Sequence, residues 1–155
     1  MIESPRIVTT EPCRFAGLHL SIPKPEIQRV MGPGLDEVRA AMAAQATAPA
    51  GPWFTHHLRI EPSGWDFEIC VPAARPIAPI GRVRPGEWPA MTAARTVLHG
   101  GFDGLAEAWA KLDAWIAQQG FTAREDLWEV YTVGPESSAD PAAWRTQLTR
   151  PLASR

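Results

Sequence analysis

Two ionisable groups stand in the middle of one apolar run. In "DLWEVYTV", residues 126 to 133, Glu129 and Tyr131 interrupt a segment otherwise suited to a buried strand. Strand residues two apart share a face, so carboxylate and phenol project together with Leu127 and Val133, while Trp128 and Val130 face the other layer. A carboxylate in an apolar space is costly unless it is kept neutral, receives hydrogen bonds or meets a cation. The first case suits a general acid or base. The last suits a sensor of lipophilic cations whose aromatic walls complete the cage. The competing reading is a satisfied core charge, with Arg82, Arg95 or Arg145 as partner across the sheet.

The aromatic inventory bears on the same choice. The chain has seven tryptophans against a single tyrosine, Tyr131. Tryptophan offers a large apolar body with one N–H, which suits cores, interfaces and the walls of sites for flat or cationic ligands. Trp53, after "GP", and Trp88, beside Pro89, are placed to line a cavity mouth. Trp109 and Trp115 fall near an apolar helix stripe and fit either core or ligand wall. With Phe67 and Phe102 added, the candidate ligand contacts are Glu129, Tyr131, Trp53, Trp88, Trp109, Phe102 and Phe67. Glu129 and Tyr131 double as candidate catalytic groups.

Other chemistries find little support. His56 and His57 are adjacent on a strand and point to opposite faces, with no third ligand at metal spacing, so no metal site is expected. His19 and His99 suit turn or core positions. No nucleophile elbow or phosphate-binding glycine loop occurs, and no cofactor is expected. Cys13 and Cys70 lie far apart and read as structural thiols of a cytoplasmic protein. A formal net charge of -2, with 15 basic and 17 acidic residues, offers no footprint for nucleic acid or an anionic membrane. The N-terminus lacks a continuous apolar stretch and does not read as a signal peptide.

These side chains need elements to hold them. At 155 residues the chain suits one domain. "RIVTTEPCRFAGLHLSI" reads as a long or broken strand, or a hairpin turning near Glu11 and Pro12, stopped by "PKP". "GPGLDEVRAAMAAQATAPAG" reads as a helix ended by Pro49, Gly51 and Pro52. "WFTHHLRIEPSGWDFEICVPA" is a hairpin across "EPSG", with Phe67, Ile69 and Val71 on one face and Asp66, Glu68 and Cys70 on the other. After the proline-rich "ARPIAPIG" come two strands, "RVRPGEWPAM" and "TAARTVLHGG". A second helix follows, "GLAEAWAKLDAWIAQQG", with Asp103 as N-cap, Gly120 just past its end, and Leu105, Ala108, Trp109, Leu112, Trp115 and Ile116 as its stripe. The strand of Glu129 and a last strand, "TQLTRPLA", complete the chain.

The expected fold class is therefore α+β: two strand-helix-strand-strand repeats, about 1–78 and 79–155, whose antiparallel sheets pair around a shared core or groove within a single domain.

The segments "EWPAMTAARTVLHGGFDGLAEAWAKLDAWIAQQGF", "EDLWEVYTVGP" and "WRTQLTRPLA" resemble the GyrI-like effector-binding domain family, with looser agreement through "DFEICVPA". The resemblance implies a pseudo-twofold pair of strand-helix-strand-strand repeats with antiparallel sheets enclosing a ligand cavity, and a cavity Glu and Tyr at the positions of Glu129 and Tyr131. Members of that family form the effector-sensing half of AraC-type and MerR-type regulators or occur free-standing. Some bind hydrophobic cations, one namesake inhibits DNA gyrase, and others hydrolyse cyclopropane-containing alkylating compounds. The family turn His-Gly-Pro-Tyr is here His99, Gly100, Gly101, Phe102, which loses a hydroxyl. No helix-turn-helix or basic segment flanks the domain, so a free-standing member, monomeric or homodimeric, is expected.

Three functions follow as expectations. The first is a binder of flat hydrophobic, cationic compounds, with Glu129 as counter-charge and Tyr131 as hydrogen-bond partner. The second is a hydrolase using Glu129 as general base and Tyr131 as proton donor. The third is an inhibitor acting on a protein partner, a topoisomerase or a regulator, through its surface.

Overall fold

The computed structural model describes residues 1–153. In chain order the elements are β1 (Arg6–Thr9), β2 (Cys13–Pro23), α1 (Ile27–Ala44), β3 (Phe54–Ile60), β4 (Gly64–Pro72), β5 (Val83–Trp88), β6 (Thr92–His99), α2 (Leu105–Gln118), β7 (Leu127–Val133) and β8 (Arg145–Pro151). They group into two compact units: Glu11–Ala90, and Met1–Thr10 together with the chain from Met91 onward.

Within the Glu11–Ala90 unit the antiparallel strands run β3-β4-β2-β5, and α1 packs on β2 and β4. Phe67, Ile69 and Val71 of β4 meet Leu35, Val38 and Met42 of α1, so the hairpin face expected to be apolar is the core face. Within the other unit the order is β1-β6-β8-β7, and α2 covers Ala94, Leu98 and Leu148 with Ala108, Leu112 and Ile116. Each unit is thus a four-stranded antiparallel sheet with one helix on one face.

The opening segment is a broken strand rather than a hairpin. β1 pairs with β6, whereas β2 pairs with β4 and β5. The expected halves, about 1–78 and 79–155, followed chain order. Backbone pairing instead joins the short leading strand of each half to the helix-preceding strand of the other.

α1 starts five residues before the expected Gly32 and carries Pro33 inside it. Proline removes one backbone hydrogen bond there. Packing of Ile27, Val30 and Met31 against the α1 core offsets the loss. Gly34 is needed for close approach: a Cβ there would lie 2.5 Å from Ile69 Cδ1. Asp103 does not cap α2. It lies in a 3-10 turn, Phe102–Gly104, makes no capping hydrogen bond, and places its charge at the electropositive helix start.

Both helices end in the same way. For α2, Phe121 N–H donates to the Ile116 carbonyl at 3.1 Å and Gly120 N–H to Ala117 at 3.0 Å, with Gly120 at φ +79°. For α1, Thr47 N–H donates to Met42 and Ala46 N–H to Ala43, each at 3.0 Å, so the helix stops before Pro49 through its own carbonyls. Here Ala46 occupies the left-handed position, at φ 53°. Among the described residues no helix is long and apolar enough to cross a membrane.

An alanine in that conformation carries a penalty glycine escapes, partly offset by the greater freedom of glycine in the unfolded chain. Ala46→Gly should stabilise the protein by about 0.5–1 kcal/mol. Thermal unfolding should then show a midpoint raised by about 1–4 °C.

Candidate functional site

β7 alternates as its sequence suggests as far as Tyr131, and its register with β8 decides which face is which; beyond the register shift Val133 pairs with Arg145 and leaves the expected face. Glu129 pairs with Leu148 and Tyr131 with Thr146, while Trp128 pairs with Thr149. Leu148 belongs to the core beneath α2. Glu129 and Tyr131 therefore occupy the helix-covered face and Trp128 the opposite one. A register shift follows Tyr131, with Thr132 as the extra residue and its hydroxyl donating to the Arg145 carbonyl at 3.0 Å.

Both side chains are buried, Glu129 at 8% and Tyr131 at 9% exposure. Trp109, in the second turn of α2, donates its indole N–H to Glu129 Oε2 at 2.7 Å. The Tyr131 hydroxyl donates to Glu129 Oε1 at 2.8 Å. One oxygen is held from the helix and the other from the same strand.

The core ion pair does not form. Arg145 donates to the carbonyls of Ala142 and Trp144, Arg82 pairs with Glu37, and Arg95 donates to the Thr149 hydroxyl. Among the described residues no lysine or arginine pairs with Glu129. Two neutral donors satisfy part of the hydrogen-bonding capacity of a carboxylate and leave its charge without a counter-ion.

Aromatic rings extend the site toward the surface. Phe102 stands edge-on to Tyr131, with centroids 5.8 Å apart, and lies 4.9 Å from the Trp144 ring. Trp144 is anchored by its indole N–H to the Ser138 carbonyl at 2.9 Å. Phe102, at 37% exposure, is the outermost of these rings. The loss of a hydroxyl at this position thus leaves an apolar edge against Tyr131.

Four of the seven expected ligand contacts come together in this unit: Glu129, Tyr131, Trp109 and Phe102. Trp53, Trp88 and Phe67 lie in the Glu11–Ala90 unit. There Phe67 is fully buried and stacked 5.2 Å from the His57 ring, Trp88 packs 5.3 Å from Phe54, and Trp53 lies against the α1 core. The sequence reading missed Trp144 and Thr146. Neither carried a local signal, since Trp144 lies in a loop and Thr146 in a strand with several polar residues.

The histidines and cysteines take structural places. His56 hydrogen-bonds Glu68 at 3.2 Å, whereas His57 turns to the core side. His19 meets Asp66 and His99 meets Glu3. Cys13 and Cys70 are free thiols, and burial raises Cys70 well above the ordinary thiol range, with Glu68 adding to the effect.

The chain belongs to the GyrI-like family: the family model described as the GyrI-like small molecule binding domain matches residues 3–153. Among solved structures, the EcmrR C-terminal domain has a TM-score of 0.82 at 19% identity, over 98% of this chain and 98% of that one. EcmrR in its complex with DNA has a TM-score of 0.83 at 19% identity, and the match spans 98% of this chain but only 58% of EcmrR. SAV2435 bound to tetraphenylphosphonium has a TM-score of 0.72 at 12% identity, over 98% and 95% of the two chains. A hydrolase from Listeria innocua has a TM-score of 0.61 at 11% identity, over 96% and 91%. At these identities the likeness is one of fold. No curated protein matches the sequence significantly.

The indole of Trp109 makes a charge-assisted contact that phenylalanine would not. Trp109→Phe should destabilise the protein by about 1–3 kcal/mol in denaturant unfolding. A double-mutant cycle with Glu129→Gln should show coupling of about 1–2 kcal/mol. Additive costs would mean that the bond contributes nothing.

Proposed function

We propose that the protein binds small, flat, hydrophobic cations, with Glu129 as counter-charge, Tyr131 as hydrogen-bond partner, and Trp109 and Phe102 as aromatic contacts. The observation that carries this reading is the buried carboxylate held by neutral donors alone. A cation brought against it gains an unscreened attraction that water would otherwise weaken. Aromatic faces add cation–π attraction without demanding one ligand shape. Membership of a small-molecule binding family agrees with this reading, and a protein of the same fold is bound to tetraphenylphosphonium.

Tryptophan quenching by tetraphenylphosphonium and by a planar acridinium dye tests the reading directly. Saturable binding is expected, with affinity falling by about 2 kcal/mol or more, roughly 30-fold, in Glu129→Gln. Full affinity in the glutamine variant would remove Glu129 from the site.

A second reading is favoured by one contact: base and proton donor lie 2.8 Å apart in Glu129 and Tyr131. In a hydrolase, Glu129 would aim water at an electrophilic carbon and Tyr131 would protonate the departing group. A cyclopropane-bearing alkylating compound followed by chromatography checks it. Turnover that disappears in Glu129→Gln while binding of the neutral compound persists would favour this reading over simple binding.

A further inference from the structure

One more polar group shares the face of Glu129 and Tyr131. Thr146 on β8 is the cross-strand partner of Tyr131 on one side and of Leu98 on the other, which puts its side chain beneath α2 as well. It is a diagonal neighbour of Glu129, whose direct partner is Leu148, two residues along β8. Such diagonal neighbours lie about 7–8 Å apart, within reach of one ligand nitrogen between a long and a short side chain. Thr146 is fully buried, at 0% exposure, and its hydroxyl has no hydrogen-bond partner among the described residues.

That pattern is costly as core packing. A buried hydroxyl without a partner forfeits its hydration, and valine would fill the same volume without that loss. Beside it lies a carboxylate without a counter-ion, whose two hydrogen bonds both come from neutral groups. The two deficits are complementary: one calls for positive charge and the other for a hydrogen bond.

We propose that Thr146 is a specificity-determining residue of this site, its hydroxyl accepting a hydrogen bond from an N–H borne by the ligand's cationic centre. This rests on the cation-binding reading above. Protonated amines, amidines and acridinium ions satisfy both Glu129 and Thr146. A fully substituted ammonium or phosphonium ion of the same size satisfies only Glu129 and leaves the hydroxyl unpaired. The site therefore ranks cations by whether they carry an N–H, and not by charge and shape alone.

Acridine orange, whose cation has a ring N–H as its sole donor, and its 10-methyl derivative, which has none, form a matched pair for calorimetric titration of the full chain. Wild type should bind the N–H ion about tenfold more tightly. In Thr146→Val that ratio should fall to about one, and in Thr146→Ser, which keeps the hydroxyl, it should persist. Ligand-free Thr146→Val should melt about 2–4 °C higher than wild type, the signature of a hydroxyl with nothing to bond. Equal binding of both ions by wild type overturns the inference and leaves the cation-binding reading standing. A ratio that survives in Thr146→Val also overturns it. If wild type binds neither ion, the cation-binding reading and this inference both fail.

Discussion

The carboxylate of Glu129, held by an indole from α2 and a phenol from its own strand, is the interaction around which one unit of this protein is arranged. A carboxylate removed from water costs several kcal/mol unless donors replace its hydration. Two short hydrogen bonds, 2.7 and 2.8 Å, supply part of that replacement. The bond from Trp109 also ties helix to strand, so the position of α2 and the surroundings of the carboxylate are linked. The arginines that could have neutralised the charge bond elsewhere, to carbonyls, a hydroxyl and Glu37. What results is a buried carboxylate whose hydrogen-bond partners are both neutral.

The two units use one frame for different ends. Each has a strand with a register shift late in its course, after His57 in β3 and after Tyr131 in β7. Counting back from those shifts, His57 and Thr55 stand where Tyr131 and Glu129 stand. Both pairs face the core side of their sheet. His57 and Thr55 pair across strands with Phe67 and Ile69, and His57 stacks on the Phe67 ring. Tyr131 and Glu129 pair with Thr146 and Leu148. Where the Glu11–Ala90 unit puts a large ring opposite the later position, the other unit puts a small hydroxyl, and the earlier position is Thr55 in the first and Glu129 in the second.

The local signals were legible because their cause is local. Alternation in "DLWEVYTV" follows from the two-residue repeat of a strand and holds whatever lies on either side. The stripe of α2 and the glycine at its end follow from helical geometry in the same way. α1 was harder to place, because Gly32, Pro33 and Gly34 look like a boundary by propensity. Packing of Ile27, Val30 and Met31 overrides that preference. Its end falls short of Pro49 for a related reason: an alanine takes the left-handed position that propensity assigns to glycine.

By itself the sequence determined the element types, the repeated order of strand, helix, strand and strand, and the placing of Glu129 and Tyr131 on one strand face, all of which depend on residues close together in the chain. Tertiary structure alone decided that the face is the one under α2, that Trp109 rather than an arginine meets the carboxylate, that Phe102 and Trp144 continue the aromatic row, and that Thr146 lies beside Tyr131 with its hydroxyl unpaired. Those outcomes depend on strand register and helix docking, and a shift of one residue in register would exchange the two faces of the strand.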